Sequence, residues 1–468
     1  MELRTSAGVA RGVEGGGVVA FLGLPYAHAP AGERRFAVPV PVRGWDGVRD
    51  ATRFGPAAPQ GPPAPGAPSA WRPGDGIGEL TVSVWTPDPG GAGLPVIVWF
   101  HGGAWVVGAP SMPLHDGARL AGAGAVVVSV GSRLGAEGFL ALPGAPDNRG
   151  LRDQIAALTW VHEHIASFGG DPARVTVAGQ SAGAASVAVL LAAPGTVGLL
   201  HRAIAASVHA GFRSPAEAVG VTGRLAEALG VAPTVAGFRD LPPERIVETQ
   251  GAPLRGPADG VTAFGPVIDN DIVVGQPWEG LARRPRPDVP LMVTCTREEG
   301  RVYPLPPAGT DPRDVAVALG LDADAYAAGD GDGAIVRMVS DALHRLPARW
   351  TARAHAAAGG PVWAAELVWP SPRLGACHGL DVPLVLGTVD ARPAVRMLGA
   401  PPPAEGVALG AAMRRSWVRF AATGDPGWTP YDLATGTTRL WDTVTSEVPD
   451  PIGAADVRPH GAVTPGPP

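Results

Sequence analysis

The run "RVTVAGQSAGAASVAVLL", Arg174 to Leu191, changes its hydrophobic rhythm halfway along and restricts the fold more than any other stretch. Val175 and Val177 belong to a short, β-rich apolar segment, whereas Ala182 to Leu191 is rich in alanine and leucine and reads as helix. The spacing predicts strand, abrupt turn and helix, with Ser181 on the turn. Gly179 and Gly183 stand two positions either side of the serine. Without Cβ atoms they let the strand and helix backbones close, so that the serine hydroxyl projects above the edge of a sheet. Alone, Gly-x-Ser-x-Gly says little in a chain with 66 glycines, and its context has to decide.

That context is an α/β alternation. "LPVIVWFHGG" (Leu94 to Gly103), "GAVVVSVGS" (Gly124 to Ser132), "RVTVAG" and "VPLMVTCT" (Val289 to Thr296) are short apolar runs of the kind buried in a parallel sheet. Asp153 to Ile165 carries apolar residues at helical spacing between them. The expected fold class is α/β, with a doubly wound, mostly parallel sheet. Length alone allows about three domains, but the pattern over residues 1–468 reads as a single catalytic domain with one helical insertion. The insertion is placed at 310–360, where an alanine-rich stretch interrupts the strands; such insertions over strand ends shape substrate pockets. Residues 54–76, rich in proline and glycine, read as a flexible surface loop, and 458–468 as a frayed tail.

Charge and composition exclude several classes. The 37 basic and 43 acidic residues leave a net charge of -6 with no block of one sign, unlike a nucleic-acid or polybasic membrane surface. Every basic residue is arginine, a coding bias that points to a G+C-rich genome. The N-terminus lacks a basic region followed by an apolar stretch, and no apolar run reaches the roughly 18 residues of a membrane span. A soluble, cytoplasmic protein without membrane partners is expected. Cys295 and Cys377 are too few for a disulfide framework and lack metal-ligand spacing, and they read as buried small apolar residues.

A serine hydroxyl is a weak nucleophile until a base takes its proton, and that base needs a third group to fix its tautomer. In strand–turn–helix architectures of this kind the chain order is serine, acid, histidine. His344 and His355 fall in the helical region and His460 in the tail, which leaves His378, in "GACHGLDVPLVLG", a glycine-flanked loop leading into an apolar strand. For the acid, "VPLMVTCTREEG" places Glu298 and Glu299 just past a buried strand, and spacing does not choose between them. Donors for a developing oxyanion are expected from the glycine-rich turn in "VWFHGGAW": the amides of Gly103 and Ala104, with that of Ala182, about 3 Å from one oxygen. Trp105 and Leu134 to Leu140 are candidates for the pocket lining.

Taken together the chain resembles the type-B carboxylesterases, the family of the cholinesterases and bacterial p-nitrobenzyl esterases. "FLGLPYAHAPAGERRFAVP" (Phe21 to Pro39), "VIVWFHGGAWVVGAPS" (Val96 to Ser111), "DNRGLRDQIAALTWVHEHIASFGGDPARVTVAGQSAGAAS" (Asp147 to Ser186), "TREEGRVY", "GACHGLDVP" and "FAATGDPGWTPYD" carry the likeness over nearly the whole chain. The resemblance implies an α/β-hydrolase fold, a small-molecule ester as substrate, no cofactor and no metal. By the same resemblance the nucleophile is Ser181, the acid Glu299, which directly precedes glycine, and the base His378, with oxyanion amides at Gly103, Ala104 and Ala182.

The chain departs from the family in two places. Gln180 precedes the serine where the family has glutamate, removing a negative charge near the histidine. "IGELTVSVWTP" (Ile77 to Pro87) replaces the family's Glu-Asp-Cys-Leu block, which leaves Arg133 without that acidic partner unless Glu79 substitutes. Acyl transfer on the same three residues, or a non-catalytic binding role, are the alternative functions, and the oligomeric state is open.

Overall fold

In the computed structural model, which describes residues 1–63, 66–251, 262–307, 309–326 and 331–453, the apolar runs assemble into one large sheet. The tail expected at 458–468 lies outside the described residues. β1 (Glu2–Thr5), β2 (Gly8–Arg11) and β5 (Val48–Asp50) form a small separate sheet. The large sheet holds β3 (Val13–Gly15), β4 (Val18–Ala27), β6 (Leu80–Thr86), β7 (Leu94–Phe100), β8 (Val126–Val130), β9 (Gly170–Gln180) and β10 (Arg202–Ala206). β11 (Leu291–Thr296), β12 (Val362–Leu367), β13 (Thr438–Trp441) and β14 (Ser446–Val448) complete it. Its order is β14-β13-β12-β11-β10-β9-β7-β8-β6-β4-β3. From β13 to β8 neighbouring strands run parallel, and antiparallel pairs close both margins.

Both faces are covered, which is why the central strands carry unbroken apolar runs instead of alternating ones. Val96, Val98 and Phe100 of β7 pack on one side with Leu151, Leu158 and Val187, while Ile97 and Trp99 pack on the other with Leu120, Leu384 and Met413. Helices Arg149–His164 and Ala182–Ala192 thus cover one face, and Asp381–Leu386 and Ala404–Thr423 the other. Between β11 and β12 come the helices Pro312–Ala318, Gly331–Ser340 and Leu346–Ala357.

The apolar run after His378 is helix Asp381–Leu386 and not the expected strand. A five- or six-residue apolar run cannot separate strand from buried helix by periodicity, and here tertiary contact decided. Gly410 on Ala404–Thr423 approaches so closely that a Cβ would lie 2.7 Å from the Leu384 carbonyl oxygen. Arg414 donates to that same oxygen at 2.6 Å.

Arg133 does not pair with Glu79, which instead meets Arg49 at 2.6 Å on the surface. Its partner is Asp153: the Arg133 backbone N–H and Nε each donate to Asp153 Oδ2 at 2.9 Å, and a terminal nitrogen donates to Oδ1 at 2.6 Å. Both side chains are buried. Removing one member of such a pair strands a desolvated charge, so Asp153→Ala is expected to cost about 3–5 kcal/mol of unfolding free energy, read by urea denaturation.

Candidate active site

β7, β9, β10, β11 and β12 are successive neighbours in the sheet, and the carboxyl end of each delivers one part of the site, where ligands gather in open α/β sheets. Ser181 follows β9 directly with φ 58° and ψ -121°, a left-handed conformation between strand and helix. Its N–H donates to the Ala206 carbonyl of β10 at 2.9 Å. The flanking glycines are required by packing: a Cβ on Gly179 would sit 2.5 Å from Gly183 backbone atoms, and one on Gly183 would sit 2.1 Å from the Phe100 carbonyl oxygen. The elbow expected from the sequence is therefore present.

Past β7, Gly103, Ala104 and Trp105 have φ values of 114°, 52° and 58°, so three successive residues turn out of the strand direction. Val106 and Val107 both donate to the Gly103 carbonyl at 3.0 Å, and Trp105 Nε1 donates to Ser186 Oγ at 3.2 Å, which ties the turn to the serine helix. Among the described residues the amides of Gly103, Ala104 and Ala182 have no hydrogen-bond acceptor. Successive N–H groups in such a turn, beside a helix N-terminus, suit an anionic oxygen.

Glu299 and His378 are in direct contact, the carboxylate accepting from the imidazole Nδ1–H. Glu299 is fully buried. Its other oxygen accepts from Ser207 Oγ at 2.6 Å and from the Thr296 N–H at 2.8 Å. Burial alone would push this carboxyl up, but the charge of His378 and the hydrogen bonds from His378 and Ser207 hold it at about 2. Glu298 has a different task. It pairs with Arg301, and its Oε2 accepts from the Ala376 N–H at 2.9 Å while its own N–H donates to the Ala376 carbonyl at 2.9 Å. It therefore latches the histidine loop to the acid loop.

Ser181 and His378 line the same cavity, of about 590 Å³, but Ser181 Oγ makes no hydrogen bond among the described residues. Because Nδ1 carries the proton toward Glu299, the other nitrogen of His378 is an acceptor, and the Gln180 amide donates to it at 3.2 Å. Gln180 Oε1 in turn lies where a Cβ on Gly102 would meet it at 2.7 Å. Pro62, Val106, Met112, Leu114, Val382 and Met397 give the cavity apolar walls. Trp105 and Leu134 to Leu140 do not line it; they pack beneath the turn in the core. Cys377, beside His378, is buried, and burial followed by the charge of Glu299 pushes its thiol up to about 12, which disfavours the reactive thiolate.

Sequence reasoning missed Ser207, Tyr303 and His344. Ser207 was signalled only by its place at the end of "HRAIAAS", the run that becomes the strand next to the serine strand. His344, set aside with the helical region, stacks on His378 with ring centroids 4.2 Å apart. Glu299, His344 and His378 offer donor atoms within 4.8 Å of one another, the only such metal-type cluster among the described residues. Both nitrogens of His344 are already engaged, by Ser207 and Tyr303, so the set does not suit an ion without rearrangement.

A serine on a left-handed strand-to-helix elbow, over a doubly wound sheet whose next strand ends bring up a histidine–carboxylate pair, defines an α/β-hydrolase. A profile of the carboxylesterase family matches residues 2–305. The chain is 32% identical to the para-nitrobenzyl esterase of Bacillus subtilis (strain 168) over 96% of both chains, and 33% identical to the phenmedipham hydrolase of Pseudarthrobacter oxydans over 90% of both. A solved PNB esterase structure superposes with a TM-score of 0.86 at 32% identity, covering 96% of this chain and 97% of the other. The chain belongs to the carboxylesterase family, and it is a carboxylic ester hydrolase of the serine type. No helix among the described residues is long and apolar enough to cross a membrane.

Asp381 marks the site's electrostatics. It is buried, one carboxyl oxygen has no hydrogen-bond partner, and burial first, then the charge of Glu299, raise it to about 7. A folded-state value above the unfolded one means that the fold binds this proton more tightly, so stability falls as pH rises from about 4 to 7. Asp381→Asn is expected to leave stability near pH 4 little changed and to raise it at pH 8 by on the order of 2–4 kcal/mol, measured by denaturant titration at both pH values.

Proposed function

We propose that the protein hydrolyses small neutral carboxylic esters through an acyl-enzyme on Ser181. The observation that carries this reading is the contact of His378 with buried Glu299 on the wall of the cavity that also holds the elbow serine. In this reading His378 Nε2 exchanges its Gln180 partner for the Ser181 hydroxyl as substrate binds, since such hydrogen bonds tighten in the reactive complex. Ser181 Oγ attacks the ester carbonyl while His378 takes its proton, and Glu299 holds the imidazole in the reactive tautomer and offsets its new positive charge. The Gly103, Ala104 and Ala182 amides receive the oxyanion, each donor contributing about 3–4 kcal/mol to lowering the barrier. His378 then protonates the leaving alcohol, and water, activated by the same base, releases the acid. The described cavity lining contains no Asp, Glu or Arg, which favours uncharged esters with apolar groups on either side of the carbonyl. Two unpaired cysteines agree with residence in the cytoplasm.

Purified protein is expected to turn over a short-chain p-nitrophenyl ester, and Ser181→Ala is expected to lower kcat by about a thousandfold or more while remaining folded. An active Ser181→Ala protein would exclude the acyl-enzyme. A panel varying acyl and alcohol size independently then maps the cavity.

Gln180→Glu supplies a second check. It places a negative charge beside the imidazole, which stabilises the protonated form of the base, so the acidic limb of the kcat/KM profile is expected to move to higher pH. An unmoved limb would show that position 180 does not act on the base.

A further inference from the structure

Four rings stand in a row from the glycine turn to the proposed base. Trp105 lies 5.8 Å from His209 between centroids, His209 lies 5.3 Å from His344, and His344 lies 4.2 Å from His378 with the two planes 23° apart. His344 is fully buried. Its tautomer is fixed by its partners: Nδ1 is 3.0 Å from the Ser207 carbonyl, which can only accept, so Nδ1 bears the hydrogen and Nε2 accepts from the Tyr303 hydroxyl at 2.7 Å. Burial first, then His378, keep this ring well below the usual imidazole value against the opposite pull of Glu299, so it stays uncharged. His378, Glu299, His209 and Tyr303 are the titratable groups that act on it.

The backbone around His344 departs from a plain helix. Asp341–Arg345 is a π-helical turn set between Gly331–Ser340 and Leu346–Ala357, a kind of irregularity that recurs at functional sites. Pro347 has no N–H to offer the Leu343 carbonyl in α-helical register, and His209 hydrogen-bonds Leu343 instead. The hydrogen bonds then form a circuit. Tyr303 donates to His344, His344 to the Ser207 carbonyl, the Ser207 hydroxyl to Glu299, and His378 to Glu299, while the stack joins His378 back to His344.

We propose that His344 is a positioning residue for His378: its flat, uncharged face holds the plane of that imidazole against Glu299 and toward Ser181, and lies under the positive charge the ring gains on taking the serine proton. This rests on the reading of His378 as the base. The role needs a neutral ring face more than it needs the two nitrogens.

The test compares His344→Phe with His344→Leu. Both lose the two hydrogen bonds and keep similar bulk, but only phenylalanine presents a flat ring. With a p-nitrophenyl ester, His344→Phe is expected to keep kcat within about threefold of the parent, and His344→Leu to lose about tenfold or more with KM within about twofold. His344→Asn, which keeps a donor toward the Ser207 carbonyl without a ring, is expected to lose kcat like leucine and stands in for it should leucine not fold. The low-field proton resonance of the His378 N–H bonded to Glu299 is expected to persist in the phenylalanine variant and to broaden in the other two. Equal kcat in the Phe and Leu variants, or a fully active Asn variant, would overturn the proposal. The resonance is read without turnover, so a protein that cleaves no ester but shows this pattern would lose the catalytic reading and keep the positioning one.

Discussion

A Cβ on Gly183 would stand 2.1 Å from the carbonyl oxygen of Phe100, and one on Gly179 would stand 2.5 Å from Gly183. Three backbones, those of β7, β9 and the helix Ala182–Ala192, therefore meet at van der Waals distance with no side chain between them. That approach compresses the strand-to-helix turn onto Ser181, whose left-handed backbone is of the kind that costs about 1–3 kcal/mol and persists only where its surroundings dictate it. The hydrogen bond from its N–H to Ala206 and the burial of the helix behind it supply that support. The same approach brings the start of the helix beside the turn at Gly103, so the elbow serine and the free amides share one cause.

Charge is concentrated on a single buried carboxylate. Glu299 accepts from Ser207, Thr296 and His378, and the charge of His378, with the hydrogen bonds from His378 and Ser207, keeps it ionised in a place where burial opposes ionisation. The neighbouring groups that would compete for the imidazole are neutral or muted: Gln180 stands where the resemblance leads one to expect glutamate, and Asp381 is raised to about 7. His378 thus faces one dominant counter-charge, at its Nδ1. The other buried pair described above, Arg133 with Asp153, supports the scaffold at a different place and satisfies its own charges.

The parts of the site that were legible in the sequence are those set by neighbours along the chain. The period change around Ser181, the paired glycines, and the glycine turn after an apolar run are all local signals, and each is found where it was expected. Glu298 and Glu299 were indistinguishable by spacing, and what separates them is the direction each faces: one out to Arg301 and the Ala376 backbone, the other into the sheet end. The run after His378 reads as strand because five apolar residues fit either element, and only its packing on Ala404–Thr423 makes it helix. His344 was passed over since a histidine in an alanine-rich helix carries no sequence mark of facing a distant loop.

By itself the sequence determined the strand–elbow–helix unit and the α/β layering, because missing Cβ atoms and hydrophobic periodicity act over a few residues and need no knowledge of the remaining chain. Tertiary structure alone decided that Asp153 and not Glu79 neutralises Arg133 and that His344 lies flat against the imidazole, and it turns Glu299 to His378 where spacing left two carboxylates open and only the family resemblance pointed to one. Those choices are made by contacts between segments far apart in the chain, where burial and the need to satisfy each desolvated polar group select one partner among several that sequence order leaves equivalent.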